Sequence, residues 1–242
     1  MAHPPSFLDA VSKNIIESAN SIDAHIDADS LIDRLTLDPS PTSTRSRNAL
    51  SELKDLARRA PAAVVATERA VPTLARLVIR LTPGSGVVQE EDEWAEPLQD
   101  TLEALRYLIG DGRATDSKDD AVRMRARDVA ELVVRHAENG KQLLRLLSLP
   151  DASTQHDAMA LLQRIYLQMP RPIDDALLAD PLAFNSLMHL LQNCQIDFVR
   201  NGCVSLLLLL TATNEEIQKI VVVNGVVESI FAILKEEDLS VG

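Results

Sequence analysis

Apolar residues return along this chain at positions i, i+1, i+3 and i+4, block after block, with polar residues between them. Four blocks carry the pattern: "TLARLVIR" at 73–80, "QLLRLLS" at 142–148, "SLMHLLQ" at 186–192 and "SIFAILK" at 229–235. An α-helix turns once in about 3.6 residues, so this spacing gathers the apolar side chains on one stripe and predicts an amphipathic helix at each block. The last three blocks align as Leu143/Leu144, Leu187/Met188 and Ile230/Phe231, at offsets of 44 and 43 residues, and the first supplies Leu74/Ala75.

A second helix recurs in phase with the first. The segments "RNALSELKDLA" at 47–57, "PLQDTLEALRYL" at 97–108, "HDAMALLQRIYL" at 156–167 and "RNGCVSLLLLLT" at 200–211 make Leu53, Leu102, Leu162 and Leu206 equivalent, and likewise Leu56, Leu105, Ile165 and Leu209. Ala49, Ala158 and Gly202 share a further position, where close helix packing is expected. Two insertions, 82–97 and 110–121, are rich in Gly and charge and predict solvated loops, with Trp94 in the first. A period near 44 with two or three helices per unit is the mark of armadillo and HEAT repeats, which bury their faces only against neighbouring repeats. The expected fold is an all-α, armadillo/HEAT-like right-handed solenoid of about four repeats over residues 31–242, after an N-terminal segment, 1–30, partly helical or flexible. Leu206 and Leu209 are expected to be interior. Asn214 predicts a helix N-cap and Gly225 a left-handed C-terminal residue.

Composition agrees and removes several function classes. Hydrophobic residues make up 46% and aromatics 3%, a balance that suits stacked aliphatic helices. A formal charge of −12 argues against nucleic acid and anionic lipid surfaces, which draw on clustered Lys and Arg. The apolar run Cys203–Thr211 is too short for a bilayer, which needs roughly 20 residues. The start "MAHPPSFLDAV" lacks the basic and long apolar regions of a secretory signal, so a cytosolic compartment is expected. Cys194 and Cys203 read as buried free thiols.

No catalytic, cofactor-binding or metal-binding constellation emerges. His3, His25, His136, His156 and His189 have no nucleophile or ligand partner at helical spacing. "DAHIDADS" places Asp23, His25, Asp27 and Asp29 at alternate positions but lacks the Gly and closing Glu of a calcium loop. "TPGSG" at 82–86 lacks the Gly-Lys-Ser/Thr ending of a phosphate loop and reads as a turn, and "EEDE" at 90–93 reads as a solvated run.

With those residues in place, the chain resembles the head of the general vesicular transport factor family of Golgi tethering proteins. The segments that carry the likeness are "TRSRNALSELKDLARRAP" at 44–61, "LQDTLEALRYLIGD" at 98–111, "AELVVRHAENGKQLLRLLS" at 130–148 and "DFVRNGCVSLLLLLTATNEEIQKIVVVNGVVESIFAIL" at 197–234. The resemblance implies a tether between endoplasmic reticulum and Golgi, peripheral at Golgi and transport-vesicle membranes, working with a Rab-family GTPase, SNARE proteins and Golgi tethering factors. The family's later repeats, coiled coil and acidic tail have no counterpart here, so a homodimer stays open. An alternative is an armadillo adaptor of the nuclear-import type, but such adaptors resemble one another in a ladder of Trp and Asn, and Trp94 is this chain's one tryptophan.

The expected partner surface follows the last helix of each repeat. There Arg76, Arg145, His189 and Ala232 are equivalent, and Lys141, Asn185 and Glu228 lie one turn earlier. The basic-capable members, in so acidic a chain, predict a partner-binding row of Arg76, Lys141, Arg145, Asn185 and His189 that takes an acidic segment.

Overall fold

A computed structural model describes residues 24, 26–87, 93–110, 119–138 and 140–240, with only the backbone of 234 and 236–240. The described residues form helices joined by turns and short irregular links. Helix α1 spans 26–37, and twelve more follow: α2 (Thr44–Arg59), α3 (Pro61–Ala66), α4 (Ala70–Leu81), α5 (Ala95–Ile109), α6 (Asp120–His136), α7 (Lys141–Arg145), α8 (Ala152–Gln168), α9 (Pro170–Ala179), α10 (Pro181–Asn193), α11 (Asp197–Thr213), α12 (Glu215–Val223) and α13 (Val226–Ser240). Three helices make one repeat, so α2–α4, α5–α7, α8–α10 and α11–α13 are the four units of an all-α, armadillo-like solenoid.

The first helices stack in order, α2 on α5, α5 on α8 and α8 on α11, and form the spine of the core. Leu53, Leu102, Leu162 and Leu206, one per spine helix, are all buried, as the repeat register requires. Of the second set, Leu56, Leu105 and Ile165 are buried while Leu209 is only partly covered. The five leucines 206–210 are therefore not all interior: Leu206, Leu207 and Leu210 are buried and Leu208 is 64% exposed. Five consecutive helical residues sweep through more than a full turn, so at least one must face away from any single packing surface.

Small residues set the spine's spacing. Ala49 and Ala158 are fully buried, and a Cβ on Gly202 would stand 3.2 Å from Met159 Cε on α8. The caps follow local chemistry. Asn214 accepts hydrogen bonds from the amides of Glu216 and Ile217, and Gly225, at φ 71°, closes α12 in the left-handed region.

Several details differ from the sequence pattern. The expected boundary after residue 30 falls inside α1, whose Ala28, Leu31, Ile32 and Leu35 are buried in the core. Arg69, just before α4, pairs with Asp33 and Asp29 of α1. Asp27 and Asp29 thus belong to a helix and not to a calcium loop; Asp23 and His25 lie outside the described residues. The "QLLRLLS" block is short: α7 gives way at Leu146 to a 3₁₀ turn, Leu146–Ser148. Trp94, the residue just before α5, is buried and joins the core, so the end of this loop is not solvated as expected. Of the "EEDE" run only Glu93 is described, and it pairs with Arg47. "TPGSG" does form a turn, with Gly84 and Gly86 at φ 82° and 83°.

Candidate partner-docking groove

The corner after α7 is where the third repeat meets the second. Gly140 opens α7 at φ 91°, where a Cβ would stand 2.8 Å from Ile173 Cδ1, so both conformation and space favour glycine. Beyond the 3₁₀ turn, Asp151 caps α8 by accepting from the Thr154 amide at 2.7 Å. Gln155 then reaches back and donates to the Leu149 carbonyl at 2.6 Å, which fixes the corner. On the other side, Asp180 caps α10 by accepting from the Leu182 amide, and Pro181 occupies the first turn, where no amide donor is needed.

Between these two elements lies an open groove of about 790 Å³. Leu147, Leu149, Leu182, Leu190 and Ile196 supply apolar walls, and Asn185, His189, Ser148 and Ser186 supply polar groups. The two serine hydroxyls hydrogen-bond across the groove at 2.7 Å. Cys194 also lines it and is only partly covered, whereas Cys203 is buried. Burial, reinforced by Cys194, pushes the Cys203 thiol up to about 12, so it stays protonated and donates to the Leu187 carbonyl at 3.2 Å. The reading of both cysteines as buried holds for Cys203 alone.

The structure brings Asn185 and His189 together, both exposed, on one wall of this groove. Lys141 and Arg145 are exposed on α7, whose continuation packs against α10. Arg76 is apart from them: it lies on α4, which packs against α5 and α6, and its Nε donates to the Pro72 carbonyl at 3.1 Å. The long helix α6 occupies the space beside α4.

A polar ladder across the spine helices escaped the sequence reading. Arg47 of α2 pairs with Glu93 and Glu96, and Lys54 reaches Asp100 at 2.5 Å. Between α5 and α8, Gln99 donates to Asp151 at 2.9 Å and Arg106 approaches Asp157 at 3.6 Å. Between α8 and α11, Gln163 donates to the Gly202 carbonyl at 3.0 Å. Burial pulls the Lys54 ammonium down, but the hydrogen bond and charge of Asp100, with Glu103, more than offset it and leave the group above its usual range. For Asp157 the balance is opposite: burial pushes it to about 6 despite Arg106, a cation that Glu103 also holds at 2.9 Å. The available signal was separation: Lys54 and Asp100 lie 46 residues apart, close to one repeat.

Comparison with known proteins gives the relationship. Golgin candidate 6 of Arabidopsis thaliana is 32% identical over 160 residues, 65% of this chain and 17% of that protein. General vesicular transport factor p115 of Homo sapiens and of Bos taurus is 26% identical over 199 residues, 81% of this chain and 19% of each. The chain is related to the vesicle-tethering factors. It spans less than a fifth of the length of these curated relatives. No protein-family profile matches it. Among solved structures, two engineered proteins of the Northeast Structural Genomics Consortium align over 86% of the chain at TM-score 0.51, with 19% and 18% identity, a likeness of fold alone. A designed armadillo repeat protein aligns at TM-score 0.46. Among the described residues, no helix is long and apolar enough to cross a membrane.

Proposed function

We propose that the chain is a non-enzymatic docking scaffold for vesicle tethering in traffic between endoplasmic reticulum and Golgi, held at Golgi and vesicle membranes by its protein partners. The observation that carries the reading is the open groove between the 146–150 corner and α10, in a chain related to tethering factors. A rigid repeat stack supplies a preformed surface, and the groove combines apolar area with a few placed polar groups, as docking sites do.

The partner class follows from charge. His189 and Asn185 line the groove, Lys141 and Arg145 are exposed on α7, the helix that leads into the 146–150 corner, and Arg76 marks a separate basic point on α4. In a chain of net charge −12, these basic groups favour an acidic segment with an apolar anchor directed at Leu182 and Ile196. By relationship, that segment belongs to a Rab-family GTPase, a SNARE or another Golgi tethering factor.

The test is affinity capture from a Golgi-enriched extract, with captured proteins identified by mass spectrometry. The reading expects a Golgi SNARE or Rab GTPase on the wild-type chain, with loss of that protein in the Lys141→Glu/Arg145→Glu/His189→Glu variant at an unchanged melting curve. Capture of basic nuclear cargo in its place, or retention by the triple variant, would overturn it.

A further inference from the structure

Away from the groove, the spine gathers positive charge at one point. A cavity of about 340 Å³ is lined by Arg58 of α2, Arg106 of α5 and Arg164 of α8, with Pro61, Tyr107 and Gly110 completing its wall. Three successive repeats thus contribute one arginine each, and among the described residues that line the cavity none carries a carboxylate. The cavity of about 310 Å³ between α1 and α2 shows the contrast, for it sets Arg34 and Arg59 against Asp27, Glu52 and Asp55. In a chain with 24 basic and 36 acidic side chains, an unmixed arginine wall runs against composition.

Local chemistry accounts for only part of this wall. Arg58 and Arg106 stand in the last turns of their helices, where a cation complements the helix dipole, but Arg164 lies before the last turn of α8. Arg58 pairs with Asp55 at 3.3 Å, and Arg106 with Glu103 at 2.9 Å and Asp157 at 3.6 Å. Neither dipoles nor these pairs require the three side chains to converge; they converge because α2 stacks on α5 and α5 on α8. Glu103 and Asp157 hold the Arg106 guanidinium in place, with its Cζ 5.8 Å from the centre of the Tyr107 ring. An arginine carries five N–H donors, so these contacts do not saturate it. The Arg106 side chain is 23% exposed and that of Arg58 61%, which gives the cavity an inner, prepositioned cation and an outer one that a ligand can recruit.

We propose that this cavity binds a phosphoserine or phosphothreonine side chain presented by a partner protein. A phosphate monoester carries a charge of about −1.5 to −2 and three acceptor oxygens, and converging guanidinium forks match both. A carboxylate offers less charge and fewer acceptors to the same three forks. Pro61 and the Tyr107 ring give apolar contact to the residue that bears the phosphate. A bilayer or a nucleic acid is disfavoured, because each presents many anionic groups to the flanking Asp55 and Glu103 and to a chain of net charge −12. The cavity shares no lining residue with the groove between the 146–150 corner and α10, so the two sites succeed or fail separately.

The test presents the intact chain with degenerate peptides centred on phosphoserine, beside the same peptides without phosphate. The phosphorylated set should bind at least about tenfold more tightly. Arg58→Gln/Arg164→Gln should erase that difference at an unchanged melting midpoint, while Leu182→Asp/His189→Glu in the groove should leave it intact. Arg58→Gln alone, at an exposed side chain, should weaken binding severalfold and serves if the double variant is unstable. Binding that ignores the phosphate, or that survives the arginine variants, would overturn the proposal. So would inorganic phosphate that binds as tightly as the peptides, because the site would then serve a free anion. Capture by phosphatidylcholine vesicles carrying a phosphoinositide, abolished by Arg58→Gln, would equally overturn it in favour of a membrane.

Discussion

Leu206 and Leu208 sit two residues apart in one unbroken leucine run, and the repeat register assigns them opposite environments: 1% and 64% exposed. Replacing each with Asp separates register from composition. At Leu206 the change removes an aliphatic side chain whose full burial is worth about 1.5–3 kcal/mol. It also places a carboxyl group between α8 and α11, where even the neutral acid adds about 1–3 kcal/mol if it finds no partner. Together the two amount to about 2.5–6 kcal/mol. At Leu208 little apolar area is lost, and the poorer helix propensity of Asp costs about 0.5 kcal/mol. A solenoid can shed its last repeat without global unfolding, so the assay pairs chemical denaturation followed by far-ultraviolet circular dichroism with hydrogen exchange at the amides of α11. Equal costs at the two sites, or a Leu206→Asp cost below about 1 kcal/mol, would refute the repeat register.

Asp157 carries a pH prediction with a definite sign. Its folded-state value near 6 exceeds the ordinary 3.8, so the folded protein binds the extra proton and stability falls as pH rises from about 4 to 6. Asp157→Asn should therefore flatten the pH profile and match or exceed the parent near about pH 7; a variant clearly less stable there would show that the Arg106 pair outweighs burial. Gly140→Ala meets a left-handed backbone and should cost about 1–3 kcal/mol in thermal or urea melts. Asn214→Ala removes a cap from two amides and should cost about 1 kcal/mol, seen as faster exchange confined to α12 and α13.

The spine was legible because its signal is one-dimensional: Leu53, Leu102, Leu162 and Leu206 recur in phase, and each must be buried for neighbouring repeats to touch. Caps such as Asn214 were legible for the same reason, since a cap acts within four residues. What the sequence hid depends on three-dimensional neighbours. Lys54 and Asp100 look like unrelated surface charges until α2 and α5 stack. Trp94 follows an acidic run that suggests solvent, yet its indole seals the head of α5. Arg76 matches Arg145 and His189 in register, but its helix, α4, packs on α5 and α6, and Arg76 does not line the groove. Asn185 and His189 stay together because they lie one turn apart on α10, and the groove forms beside them because α10 packs on the 146–148 turn. The groove itself was invisible, as it depends on Gln155 holding the corner from α8.

The measurement that bears most directly on the scaffold is equilibrium binding of the captured Golgi partner, purified, to the intact chain and to a Leu182→Asp/His189→Glu variant, by calorimetry at rising ionic strength. Both side chains are exposed in the groove, so the variant should melt like the parent. The account predicts tight binding that weakens with salt for the parent and at least about tenfold weaker binding for the variant, a loss of about 1.4 kcal/mol. Unchanged affinity in the variant, with an unchanged melting curve, would contradict it.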